Sequence, residues 1–150
     1  MTIFEQKIIK IKSTDKVFFL DDDFSRIRDF RRQYFRLAGF NEDNLFIAEG
    51  VNSAKAIIAT GPNFDIYFLD HDLTADHYDD LEKSALLGEG TGQEVIGLVK
   101  DHEDAKFVIH TMNPFGAAKM ECMLVVDRDV SSDSVTLAPF GSFTLEREDE

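Results

Sequence analysis

The sequence predicts an α/β domain in which helices cover both faces of a parallel sheet. Three observations carry this. Short, wholly apolar runs alternate with segments of helical spacing. The runs are too apolar to leave either sheet face in water. Three of them stop at polar clusters: Asp21-Asp22-Asp23, Asp70-His71-Asp72 and His110-Thr111-Met112-Asn113. Ligands of open parallel sheets bind beyond the carboxyl ends of the strands, so these clusters also locate a site.

Each element follows from a local signal. Lys7–Lys12 and Ser142–Arg147 read as added edge strands that pair with each other. Val17–Leu20 is a buried strand. Phe24–Ala38 has helical spacing at Ile27, Phe30, Tyr34 and Leu37, with Arg on the other face and Gly39 at the expected stop. Leu45–Ala48 is the second main strand. Asn52 or Ser53 caps a helix over Ala54–Ala59, and Gly61-Pro62 ends it. Phe64–Leu69 is the third strand, and Thr91–Lys100 is a helix with Val95, Ile96 and Val99 inward. Lys106–Ile109 is the fourth strand. Pro114 opens a helix through Leu124, and Val135–Leu137 is the last main strand. The whole reads as one domain over 1–150, with a core at about 17–140 and a lid-like insertion at 71–90.

Composition narrows the function. The chain has 150 residues, 43% of them apolar and 14 of them Phe, which fits a packed core with the phenylalanines inside and excludes a largely disordered chain. Twenty-nine acids against 16 basic residues give a net charge of −13. That disfavours a nucleic-acid polymer as partner, yet it permits a small phosphorylated ligand held through a divalent cation. Cys122 is the only cysteine, so it forms no internal disulfide; it reads as buried and inert. No apolar run spans a membrane and no signal peptide is legible, so the expectation is a soluble cytoplasmic protein.

The chemistry sits at the strand ends. Carboxylates converging from two strands repel unless protons or a hard cation intervene. Asp21, Asp22, Asp70 and Asp72 are the candidate metal ligands, with Mg²⁺ or Mn²⁺ as the ion. One Asp suffices to cap the following helix, and Asp23 reads as that cap. His71 and His110 are candidate acid–base groups beside Asp70, and Thr111 and Asn113 candidate ligands for phosphoryl oxygens. Strand alternation puts Asp70 and Asp72 on one face and His71 on the other, so whether both histidines reach the site is left open. The competing view makes the histidines core hydrogen-bonders and Asn113-Pro114 a plain turn. In the insertion, only His77 and Tyr78 read as more than solvating loop; His102 reads as surface.

Leu20-Asp21-Asp22-Asp23, Phe64–Asp70, Gly92–Val95 and Phe107–Thr111 together resemble a response-regulator receiver domain over roughly residues 17–126. The resemblance implies a flavodoxin-like sheet of strand order 2-1-3-4-5. It also implies Mg²⁺ on Asp21/Asp22, a phosphoacceptor at Asp70 and the hydroxyl position at Thr111. Receivers carry Lys at the end of the fifth strand; here Ala138-Pro139 stands there, and the loop after Asp70 is far longer. Leu69-Asp70-His71-Asp72-Leu73 and Ile109–Ala117 resemble more closely the cyclic-phosphate-processing receivers. That resemblance implies a metal-dependent phosphoesterase acting on a cyclic phosphate, a cyclic nucleotide among the candidates. The alternatives are a phospho-acceptor signalling module and a non-catalytic binder of a phosphorylated ligand.

Overall fold

Seven strands and four helices follow one another in a computed structural model that describes residues 6–37, 39–73, 91–99 and 104–148. The strands are β1 (Lys7–Ile11), β2 (Val17–Leu20), β3 (Leu45–Ala48), β4 (Ile66–Leu69), β5 (Lys106–Ile109), β6 (Val135–Leu137) and β7 (Phe143–Arg147). The helices are α1 (Phe24–Arg32), α2 (Val51–Thr60), α3 (Gly92–Ile96) and α4 (Pro114–Cys122). A five-stranded parallel sheet has the order β3-β2-β4-β5-β6, which is the expected 2-1-3-4-5 counted from Val17. It is the receiver, or flavodoxin-like, arrangement.

Strand alternation sorts the core into two layers. Phe18, Leu20, Tyr67, Leu69, Phe107 and Ile109 face α2, α3 and α4 and pack with Val95, Ile96, Met120 and Leu124. Val17, Phe19, Ile66, Phe68 and Val108 face the other way, toward Ile27, Phe30 and Tyr34. Aromatic rings fill that second layer: Phe19 stacks on Phe30 at 4.0 Å, and Phe30 meets Phe68 edge-on at 4.8 Å. Two phenylalanines depart from the expected core placement, since Phe24 and Phe115 are 80% and 81% exposed. Each lies in the first turn of a helix whose inward face begins later, at Ile27 in α1 and Gly116 in α4.

The terminal strands do pair with each other, in parallel, with Lys10 opposite Glu146. They form a separate two-stranded sheet instead of extending the main one. Ile9, Ile11, Phe143 and Leu145 join the α1-side layer, so this small sheet covers the face left open beside α1. Lys10 and Glu146 stand in register on the exposed face, while alternate apolar residues of both strands are buried.

Helix boundaries show what the periodicity missed. α2 begins at Val51, because Gly50 is the N-cap and Ser53 works from the third helical position, its Oγ accepting the Gly50 N–H. α1 and α4 both run on into a wider turn, Gln33–Leu37 and Met123–Asp127. Gly39 takes φ 73° after the first of them, as the stop signal required. Cys122 is exposed, not buried, because α4 turns Gly116 and Met120 inward and position 122 falls on the far side.

If the terminal sheet is part of the core, Ile11→Ala should destabilise the fold by about 2–4 kcal/mol. Ile8→Ala, on the exposed face of the same strand, should change stability by less than about 0.5 kcal/mol. Urea unfolding of both variants checks this, and equal small losses would mean that β1 merely decorates the surface.

Candidate functional site

The parallel ladder continues one residue past three strands. Asp21 N–H donates to Ala48 O at 3.1 Å, Asp70 N–H to Leu20 O at 3.1 Å and His110 N–H to Leu69 O at 3.0 Å. Asp21, Asp70 and His110 therefore stand level on adjacent strands, continuing the α1-side parity of Phe19, Phe68 and Val108. All three are buried. One-letter alternation along a single strand could not show this, since it compares neighbours in sequence and not across the sheet.

Asp21, Asp22 and Asp70 each offer a carboxylate oxygen, and these oxygens lie within 4.8 Å of one another. Asp23 stays out of the group: it is the N-cap of α1, its carboxylate accepting the Arg26 N–H and the Ser25 hydroxyl, contacts that hold its carboxyl below the usual range. Asp72 also stands apart, paired with His71 and Asn113. The three grouped oxygens are hard, anionic ligands of the kind Mg²⁺ and Mn²⁺ take, so the residues present fit such an ion.

A side chain that the sequence did not single out lies across this cluster. From the first turn of α1, Arg26 returns over the strand end. Its Nε donates to Asp21 Oδ2 at 2.8 Å and its Nη2 to Asp21 Oδ1 at 3.0 Å. The same Nη2 lies 3.4 Å from Asp70 and 3.9 Å from Asp22. The signal was present in the spacing, because Arg26 follows Asp22 by four residues, across a helix start.

The electrostatics follow from burial. Desolvation first, then the charge of Asp21, push the Asp70 carboxyl up to about 7; Arg26, the His71 N–H and the Thr111 hydroxyl pull the other way. His110 is pushed down to about 4, chiefly by burial. Its ring stacks on Phe19 at 5.0 Å, and Nε2 lies 3.1 Å from Leu20 O, an acceptor, so Nε2 carries the proton. Among the described residues its Nδ1, buried, has no hydrogen-bond partner and lies 3.6 Å from Asp21 Oδ2. His110 is thus a neutral wall beneath Asp21.

His71 belongs to a second network on the other face of β4. Its Nδ1 lies 2.7 Å from Asp72 Oδ1 and its Nε2 2.8 Å from the Gln93 side-chain nitrogen. Its ring lies against Gly116, where any Cβ would strike it. Asn113 caps α4 through its oxygen and reaches Asp72 with its nitrogen at 3.3 Å. The turn view of Asn113-Pro114 is therefore true of its oxygen alone. Gln93, the N2 residue of α3, is the partner that sequence reasoning passed over.

The two networks join through Asp70-His71-Asp72. From Thr111 and Met112 a cavity of about 600 Å³ runs between α4 and the Pro139–Ser142 turn. Ala138, where receivers place Lys, is buried with its N–H on Ile109 O. Most of the insertion (74–90), with His77 and Tyr78, and also His102, fall outside the described residues.

A family model described as the cyclic-phosphate processing receiver domain matches residues 16–125. No curated protein matches the chain. Among solved structures, one described as yeast Spc42 trimeric coiled-coil amino acids 181–211 fused to a further structure aligns at 15% identity and a TM-score of 0.48. The alignment covers 85% of this chain and 70% of that one.

The pH dependence of stability carries a definite sign. A carboxyl raised from 3.8 to about 7 binds its proton more tightly in the fold than in the open chain, so it lowers stability as pH rises through that window. His110, lowered from 6.5 to about 4, acts oppositely and lowers stability as pH falls from 6.5 to 4. In chelator, Asp70→Asn should therefore raise stability at pH 8 by about 1–3 kcal/mol, with a higher melting midpoint, and far less at pH 5. Thermal unfolding at the two pH values checks this; a variant no more stable than the parent at pH 8 would refute the strained carboxylate.

Proposed function

The chain belongs to the cyclic-phosphate processing receiver domains, and we propose that it is a metal-dependent phosphoesterase that opens a cyclic phosphate diester to a monoester. The observation that carries this is the convergence of Asp21, Asp22 and Asp70 oxygens within 4.8 Å, in a member of that family. Those three residues would hold Mg²⁺ or Mn²⁺, which when bound supplies Lewis-acid stabilisation of the phosphoryl group and an oriented water.

The other roles fall to residues around the cluster. Thr111, bonded to Asp70 and bordering the cavity, offers its hydroxyl to a phosphoryl oxygen. His71 is the acid–base candidate: Nδ1 donates to Asp72 and Nε2 accepts from the Gln93 amide, so Nε2 would have to exchange Gln93 for a proton before giving that proton to the leaving alkoxide. Asn113 acts indirectly, by holding Asp72. His110, wholly buried, is a positioning residue under Asp21 and not a proton donor.

The organic part of the substrate has an apolar place to rest. Among the described residues, five large hydrophobic side chains are exposed, and three of them, Phe24, Met112 and Phe115, flank the strand ends of the site. With the cavity beginning at Thr111, they suit a flat, partly apolar group such as a nucleobase, which makes cyclic nucleotides the leading class.

A screen of cyclic mononucleotides, cyclic dinucleotides and 2′,3′-cyclic phosphates with Mg²⁺ or Mn²⁺ should yield a monoester, read by chromatography. Asp22→Asn and Asp70→Asn should abolish turnover. His71→Gln should lower it by about 10²-fold per folded molecule, whereas His110→Gln should lower the melting midpoint and leave turnover per folded molecule within about tenfold. Binding without turnover across the whole screen would favour a non-catalytic binder. Stoichiometric phosphorylation of Asp70 by acetyl phosphate would favour the signalling module.

A further inference from the structure

Arg26 does more than cap a charge. It takes both oxygens of Asp21 in a side-on fork and extends the same Nη2 toward Asp70 and Asp22, so it faces all three carboxylates proposed to take a divalent ion. The guanidinium stands in the way of a metal at Asp21: Oδ1 already accepts both the Arg26 Nη2–H and the Asp23 N–H, and Oδ2 accepts the Arg26 Nε–H, so an ion entering there meets a fixed positive charge at hydrogen-bond distance. Its side chain keeps 29% of its surface in solvent, whereas Asp21 keeps none, so the arginine is the partner with room to leave.

We propose that Arg26 is a built-in cation that competes with the divalent ion for the acid cluster and, once displaced, becomes the phosphate-binding arginine of the site. Charge requires the first half. Carboxyl groups gathered at a buried strand end repel unless protons or a cation intervene, and the guanidinium supplies that positive charge without a metal. Geometry supplies the second half. Arg26 sits on the first turn of α1, next to Asp22 and Asp23, so a guanidinium turned out of the cluster remains at its mouth. A planar fork of donors is suited to phosphoryl oxygens. It would bring the positive charge that the buried Ala138 cannot bring to the phosphoryl group.

The inference rests on the metal-site reading, and the test separates the two. Melting midpoints are recorded against Mg²⁺ concentration for the parent chain, Arg26→Gln and Arg26→Lys. Inorganic phosphate is then titrated by calorimetry at saturating Mg²⁺. Loss of the competitor should lower the half-saturating Mg²⁺ concentration about tenfold in Arg26→Gln, with Arg26→Lys between that variant and the parent. Phosphate affinity at saturating Mg²⁺ should fall about tenfold or more in Arg26→Gln and be partly retained in Arg26→Lys. Unchanged or weaker Mg²⁺ binding in Arg26→Gln overturns the proposal. So does tighter Mg²⁺ binding with undiminished phosphate affinity. A parent chain and variants that all ignore Mg²⁺ sink the metal-site reading itself, and this inference with it. Should Arg26→Gln not fold, Arg26→Lys carries the same comparison.

Discussion

The organising constraint is the register of a parallel sheet. Leu20 pairs with Leu69 and Leu69 with Ile109, so the residues that follow, Asp21, Asp70 and His110, are carried to one level and one face. Two carboxyl groups and an imidazole are thereby buried side by side, where the field of one charge on the next is poorly screened. Much of the site is a response to that placement. Asp70 holds its proton to about 7, His110 gives its proton up near 4, and Arg26 folds back from α1 to face Asp21. The short loops matter for the same reason. Asp23 and Asn113 each use a side-chain oxygen to start a helix, and those starts set where Arg26 and Gly116 stand.

The two faces of the sheet divide the chemistry. On the α1 side lie the carboxylates and their guanidinium. On the α3 and α4 side lie His71 with Asp72, Gln93 and Asn113. Asp70-His71-Asp72 crosses from one to the other as the chain leaves β4. A substrate phosphate at the carboxylates would thus have the histidine network as a neighbour in the same segment. The terminal strands serve the site more remotely: they cover the aromatic layer to which Phe19, the stacking partner of His110, belongs.

The fold was legible because its signals are local. Short, largely apolar runs gave the five main strands, and helical spacing gave the helices that cover them. The acidic group, too, could be read from sequence, since two of its members are adjacent at one strand end and the third is at the next. What sequence could not resolve was lateral. Alternation within one strand set His71 apart from Asp70 and His110 apart from Thr111 and Asn113, but it could not bring His110 level with Asp21 and Asp70, because that level is set by hydrogen bonds to β4. Arg26 was counted among the polar residues of an amphipathic helix, because its contact with Asp21 depends on the turn between them. Cys122 and the start of α2 were misplaced by a few tens of degrees or a few residues, the usual reach of periodicity at helix ends.

The central claim is that the level carboxylates form a seat for one divalent ion. Paramagnetic resonance of Mn²⁺ tests it directly, because the free ion gives a six-line signal that diminishes on binding. The account predicts a saturable loss of that signal at one ion per chain, reversed by excess Mg²⁺ and absent in Asp70→Asn. A signal that the folded chain leaves undiminished at millimolar concentration would contradict it.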